Sequence, residues 1–256
     1  MGKIIAVANQ KGGVGKTTTA VSLSAYLAEQ GKRVLLVDAD PQGNASSGVD
    51  TAAGKHTLYE ALLMQCEMAK TIEKTAVDRL SVCPSDIRLA GAEIELIDMD
   101  RREYRMRAAL SQVKDQYDFI IIDCPPSLEL LTLNALVASD TVLVPVQSEF
   151  YALEGLSDLT DTIRRINRKM NPGLHIEGLV LTMYDGRTKL STDVEAALRE
   201  HFPGLVYETT IPRNIRLSEA PSHGMPCLAY DKSSKGARAY LHLANEFLKA
   251  QKRGRD

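Results

Sequence analysis

The chain has 256 residues, with 31 Lys and Arg against 33 Asp and Glu and a net charge of −2. That length is within reach of one α/β domain able to bury roughly 70–75% of its extended surface. The charge balance excludes a positive field over the whole molecule, so nucleic-acid binding would need a local basic patch. Cys66, Cys83, Cys124 and Cys227 show neither C-x-x-C pairing nor His at ligand spacing, which points to free thiols in a reducing cytosol rather than a metal cluster. No apolar stretch approaches the ~18 residues of a membrane span, and the expectation is a single cytoplasmic domain over residues 1–256.

The first predicted element is a buried strand at Ile4 to Ala8. It feeds Asn9-Gln10-Lys11-Gly12-Gly13-Val14-Gly15-Lys16-Thr17-Thr18, a glycine-rich loop ending in Gly-Lys-Thr. Such a loop turns backbone N–H groups into one concavity that cradles phosphates. Lys16 can reach the β- and γ-phosphates, and the Thr17 hydroxyl is placed to ligate Mg2+. A helix beginning near Lys16 adds its positive dipole end. The common pattern G-x-x-x-x-G-K-[ST] would have glycine at position 10, where this chain has Gln10, followed by Lys11. Lys11 sits too far back to repeat the work of Lys16 on the same phosphates; from spacing alone it is either a solvated surface lysine or a second cation with another target.

Ala20, Leu23 and Leu27 have helical spacing before Gly31, and Val34 to Val37 reads as a second buried strand ending at Asp38-Ala39-Asp40. Alternate residues of an extended segment face opposite ways, so only one of these two carboxylates can face a γ-phosphate. Residues 51–74 give the least clear pattern and suit one or two short helices over the sheet edge. Strands follow at Leu80 to Cys83, Phe119 to Ile122 and Val142 to Val146, with a helix through Leu153, Leu156, Leu159, Ile163 and Ile166. Two further strands are expected at Ile176 to Met183 and Val206 to Ile211, and a last helix from about Ser234 to Ala250. Strand–helix alternation predicts a doubly wound, mostly parallel α/β sheet flanked by helices, the P-loop NTPase fold. The loops after the first, second and fourth strands should meet at the carboxyl edge, with Asp123 delivered there as a Walker B-type aspartate holding Mg2+.

Several blocks in fixed order resemble the ParA/MinD family of deviant Walker A P-loop ATPases, most of all its chromosomal ParA (Soj) branch. They are the loop at 9–18, Val34 to Asn44, Leu89 to Leu96, Asp118 to Ser127, Tyr151 to Leu156 and Ile211 to Gly224. The resemblance implies ATP and Mg2+ as ligands, bound by Lys11, Gly12, Gly13, Val14, Gly15, Lys16, Thr17 and Thr18, with Pro212 and Asn214 beside the base. It makes Asp40 the residue that positions the attacking water, leaving Asp38 nearer the metal shell with Thr17 and Asp123. Lys11 is similar to the family's signature lysine, which reaches the nucleotide of a second subunit in an ATP sandwich homodimer, and Gly12 would face the same interface.

Basic residues cluster at Arg164, Arg165, Arg168 and Lys169, at Arg187 and Lys189, at Arg213 and Arg216, and at Lys232, Lys235 and Arg238. The resemblance selects Arg187 and Arg216 for non-specific double-stranded DNA, and implies a ParB-type centromere-binding partner and a nucleoid-associated protein. A MinD-like membrane-associated ATPase is the alternative. The apolar Leu241, Ala244, Phe247 and Leu248 fit one packed helical face, and the stretch from Lys249 to Asp256 is too short and polar for stable membrane association. An iron-sulfur reductase of the nitrogenase Fe-protein type would need cysteines in a context that Cys83 and Cys124 lack. One departure from Soj-like chains is Glu129, where glycine is usual.

Overall fold

The computed structural model describes residues 2–51, 54–149 and 152–253. Seven strands, β1 (Lys3–Val7), β2 (Val34–Asp38), β3 (Glu73–Lys74), β4 (Leu80–Cys83), β5 (Phe119–Asp123), β6 (Thr141–Gln147) and β7 (His175–Thr182), form one sheet in the order β3-β4-β2-β5-β1-β6-β7. Every pairing is parallel except the two-residue edge between β3 and β4.

Successive residues of the inner strands enter different cores, as a period of two requires. Ile4, Ala6, Leu35, Val37, Ile120 and Ile122 pack on one face. That face is covered by α3 (Leu58–Leu62), α4 (Leu89–Glu95), α5 (Arg105–Ser111), α6 (Leu130–Ala138), α7 (Ala152–Lys169) and α8 (Lys189–His201). Ile5, Val7, Leu36, Ile121 and Leu143 pack on the other. There they meet α1 (Lys16–Glu29), α2 (Asn44–Ser47), α9 (Ile215–Glu219), α10 (Cys227–Tyr230) and α11 (Lys235–Arg253). Phe119 and Phe247 seal that face edge to face with ring centroids 5.4 Å apart.

One expectation needs correction. Residues 206–211 do not form a strand; an isolated parallel bridge joins Val206 to Leu179, and a second, just past the segment, joins Pro212 to Tyr184. The cause is a tertiary contact: the Glu208 and Thr209 amides donate to the two carboxylate oxygens of Glu246 on α11, over 2.8 and 2.9 Å. The unclear region contains α3, opened by a Thr57–Glu60 capping box, a 3₁₀ turn at Met68–Thr71 and the edge strand β3. Tyr151, which begins one of the family-like blocks, lies outside the described residues. Among the described residues no helix is long and apolar enough to cross a membrane.

Candidate active site

The loop between β1 and α1 is suspended from three neighbours. Asn9 is 6% exposed; its Nδ2 donates to Pro145 O of β6 over 2.8 Å, and its Oδ1 accepts the Lys11 amide over 3.0 Å. Gln10 Nε2 donates to Gly155 O and to Asp158 Oδ2 of α7, both over 3.2 Å. At the far end the Thr182 hydroxyl donates to Val14 O over 2.8 Å. Between these anchors Gly13 and Gly15 adopt φ of 72° and 87°, the left-handed region where a side chain would be strained. They open α1 with its amides facing the concavity, the arrangement that favours phosphate.

Lys16 is buried and donates to Lys11 O over 2.8 Å, so it curls back across its own loop. Burial lowers its pKa, opposed by the charges of Asp123 and Asp40. Asp38 and Asp123 end neighbouring strands and lie directly across the β2–β5 ladder. Asp38 is engaged: Oδ2 accepts the Ser46 amide and hydroxyl over 2.8 and 2.7 Å, and Oδ1 accepts the Asp40 amide over 3.2 Å. Burial raises its pKa to about 6 in spite of those bonds. Asp40 Oδ1 accepts the Gln42 amide over 3.0 Å.

Asp123 differs from both. It is fully buried and neither carboxylate oxygen meets hydrogen-bond geometry with any partner. Burial, then repulsion from Asp38, holds its pKa well above the usual carboxylate range, while the nearby Thr17 hydroxyl opposes the rise. An orphaned buried carboxylate is costly unless a cation completes it. The pair Thr17 and Asp123 therefore fits Mg2+, a hard cation that keeps several waters and takes few protein oxygens. Among the described residues no group of three or more His, Cys, Asp and Glu could hold a metal on its own.

A cavity of about 860 Å³ runs from Gly15, Thr17 and Thr18 past Met183 to Pro212 and Asn214. Three of the residues expected at the phosphates thus share one space with both of those expected at the base, while Lys11, Gly12, Gly13, Val14, Lys16, Asp38, Asp40 and Asp123 do not line it. Asn214 Oδ1 accepts the Arg216 amide over 3.0 Å and caps α9, which leaves its amide NH2 as the donor that can face a base. Gly12 is exposed with nothing within 4 Å of the position of an added Cβ. The stem of Lys11 lies against Gly155 of α7, whose added Cβ would be 3.0 Å from Lys11 Cε.

The two arginines expected on DNA lie apart from this pocket and are paired within the chain. Arg187 makes a two-pronged contact to Asp185, over 2.8 and 2.7 Å, and stays 90% exposed at its side chain. Arg216 bonds Glu219 over 2.8 Å and lies 3.4 Å from Asp231. Glu129 precedes α6 as an exposed N-cap residue whose side chain makes no capping bond. All four thiols are free, and burial pushes Cys83 up to about 12 and Cys124 higher still, so neither is a nucleophile. Sequence reasoning missed Asn9, Thr182, Ser46 and Gly155. Asn9 carried a signal, as a polar residue ending an apolar strand; the others act through tertiary contacts that no local spacing announces.

A parallel sheet, a left-handed glycine loop at its central strand and two acidic strand ends beside it define a P-loop nucleotide-binding protein with a lysine at the loop's start. The AAA domain family matches residues 2–176. Over 248 residues the chain is 56% identical to the sporulation initiation inhibitor protein Soj of Bacillus subtilis, covering 96% of this chain and 98% of that one. It is 51% identical to the chromosome partitioning protein ParA of Myxococcus xanthus, covering 97% and 89%. Among solved structures, cobyrinic acid a,c-diamide synthase of Mycobacterium smegmatis with bound ADP and magnesium superposes with a TM-score of 0.86 at 39% identity, over 99% of this chain and 97% of that one. The cell division ATPase MinD of Pyrococcus furiosus gives 0.82 at 28%, over 97% and 99%. The chain belongs to the ParA/MinD family of P-loop ATPases, on the side of its Soj and ParA members.

Proposed function

We propose that the protein is an ATP-dependent dimerisation switch for DNA segregation. It binds Mg-ATP, pairs with a second copy as an ATP sandwich, holds double-stranded DNA without sequence preference, and hydrolyses ATP when a ParB-type centromere-binding protein engages it. The observation that carries the reading is the single cavity joining Thr17 and Thr18 to Pro212 and Asn214, with exposed Gly12 at the loop.

The loop amides and Lys16 bind the phosphates; Pro212 and Asn214 hold the base. Thr17 and Asp123 would hold Mg2+, with Asp38 nearby across the β2–β5 ladder, and the ion would supply neutralisation of charge on the phosphoryl oxygens. Asp40 orients the attacking water, because a carboxylate is a weak base but a good acceptor for a water O–H. Lys11 supplies a cation to the nucleotide of the second subunit. By analogy with an arginine finger, such a group is worth roughly 10³–10⁵ in rate, or about 4–7 kcal/mol. Dimerisation doubles the number of neutralised phosphates, so a weak monomer becomes a useful DNA-bound dimer whose affinity falls with salt. Arg187 and Arg216 are the first candidates for those phosphate contacts; both are exposed, and each is now paired with half-buried acids, Asp185 for the first and Glu219 with Asp231 for the second. The protein would work in the cytoplasm on the nucleoid.

The MinD-like alternative needs an apolar helical face for lipid. On α11 the residues Ala237, Tyr240, Leu243, Ala244 and Phe247 are buried against the sheet, with Leu241 and Leu248 at the border of that face, so the helix is already committed. A gel-shift series with no nucleotide, ADP, ATP and a non-hydrolysable analogue, alongside liposome co-sedimentation, tests the reading. DNA retardation only with ATP or its analogue is the expected result; ATP-dependent pelleting with anionic liposomes, or DNA binding indifferent to nucleotide, would refute it.

A further inference from the structure

Ser46 lies in the single turn α2, at 3% exposure, and both of its polar groups are committed to one carboxylate. Its amide and its hydroxyl donate to Asp38 Oδ2 over 2.8 and 2.7 Å. The same Oγ accepts the Ser85 amide over 3.1 Å, just beyond β4. Gly43 packs so closely on Ser85 that an added Cβ would stand 3.3 Å from Ser85 O. On its other side Asp38 accepts the Asp40 amide over 3.2 Å, and Asp40 accepts that of Gln42 over 3.0 Å. A series of hydrogen bonds thus runs from the segment after β4, through one hydroxyl that donates on one side and accepts on the other, to Asp38 and on to the backbone amide of Asp40, whose side chain closes the same turn on the Gln42 amide.

We infer that Ser46 is a positioning residue for hydrolysis: by fixing Asp38 it sets the turn that aims Asp40 at the attacking water. The inference rests on the role of Asp40 proposed above. Ser46 touches neither nucleotide nor water in this scheme. Its removal lets the 38–42 turn relax by a few tenths of an ångström, which penalises an orientation needed only at the transition state. A residue that merely capped α2 would instead lower stability and nucleotide affinity together.

The test uses the full chain with Mg-ATP, comparing wild type with Ser46→Ala, Ser46→Cys, Ser46→Thr and Asp40→Asn, and reads kcat, KM and the affinity for a fluorescent ATP analogue. Ser46→Ala is expected to lower kcat about tenfold with ATP affinity within about twofold, the signature of an interaction realised in the transition state. Ser46→Thr, which keeps the hydroxyl, restores most of the rate, and Ser46→Cys falls between. Should the alanine variant fail to fold, the cysteine variant carries the same comparison. An unchanged kcat in Ser46→Ala, a parallel loss of kcat and affinity, or a threonine variant no better than alanine would overturn the inference. Asp40→Asn separates the two layers. If it is inactive while Ser46→Ala is fully active, Asp40 keeps its role and Ser46 loses its own; if Asp40→Asn turns over normally, the assignment of Asp40 fails first and takes this inference with it.

Discussion

Replacing Asp123 by Asn should stabilise the ligand-free protein and abolish its response to Mg-ATP. Asp123 is fully buried, both of its oxygens lack partners, and it faces Asp38 across the β2–β5 ladder. Burial and Asp38 hold its pKa well above the ordinary 3.8. A carboxyl whose folded pKa is raised above its unfolded value favours the fold while protonated. Its stabilising contribution is fully present below 3.8 and is lost as pH rises, until the folded pKa is passed. Between those two pKa values the penalty grows at about 1.36 kcal/mol per pH unit. The amide pays nearly the desolvation of the neutral carboxyl, so the variant isolates the charge.

Urea unfolding of both proteins in EDTA at pH 4, 5, 6 and 7 reads this directly. The two should coincide near pH 4 and diverge as the pH rises, the variant having the higher midpoint at pH 7. Mg-ATP should raise the midpoint of the wild type and leave Asp123→Asn where it was. A difference independent of pH, or no gain at pH 7, would refute the orphaned carboxylate and with it the reason for assigning Mg2+ to this position.

Three other sets of variants probe the rest of the proposed switch. Lys11→Ala should lower turnover by roughly 10³-fold or more while single-chain binding of a fluorescent ATP analogue stays within a few-fold, and sedimentation with Mg-ATP should show monomers; retained turnover would remove the lysine from the reaction. Gly12→Val should melt like the wild type, since nothing lies within 4 Å of the added Cβ, yet fail to form the ATP-dependent dimer; a normal dimer would place the interface elsewhere. Arg187→Ala and Arg216→Ala should each leave ATP hydrolysis and stability nearly unchanged, because both side chains are exposed and solvent screens their ion pairs. Each should also flatten the dependence of log K for DNA on log salt by about 0.9 for every phosphate no longer neutralised, and an unaltered slope would exclude that arginine from the DNA surface.

The sheet and its ligand edge were legible because buried parallel strands announce themselves as short apolar runs. Ile4 to Ala8, Val34 to Val37 and Phe119 to Ile122 became β1, β2 and β5 within a residue or so. Val206 to Ile211, a mixed stretch interrupted by Glu208, Thr209 and Thr210, was expected as a strand and is not one, because the amides of Glu208 and Thr209 found a carboxylate 38 and 37 residues further on, a partner that no local pattern contains. The site divides in the same way. Lys16, Thr17 and Asp123 follow from spacing, whereas Pro212 and Asn214 needed the family resemblance and Ser46 gave no sign at all, its role arising only when β2, α2 and the segment after β4 converge on Asp38.

Lys11 joins the two kinds of information. The sequence marks it as the odd residue of the loop, and the fold shows where its stem rests: along α7 at Gly155, the position on that helix where a missing Cβ leaves room for Cε and Cδ. Gln10 fastens the same stretch of backbone to α7 through Gly155 O and Asp158. For the lysine to serve a second subunit, as proposed, its stem would have to leave this seat. The approach of Lys11 Cε to within 3.0 Å of a Cβ added at Gly155 means that any side chain there would crowd the stem where it now rests.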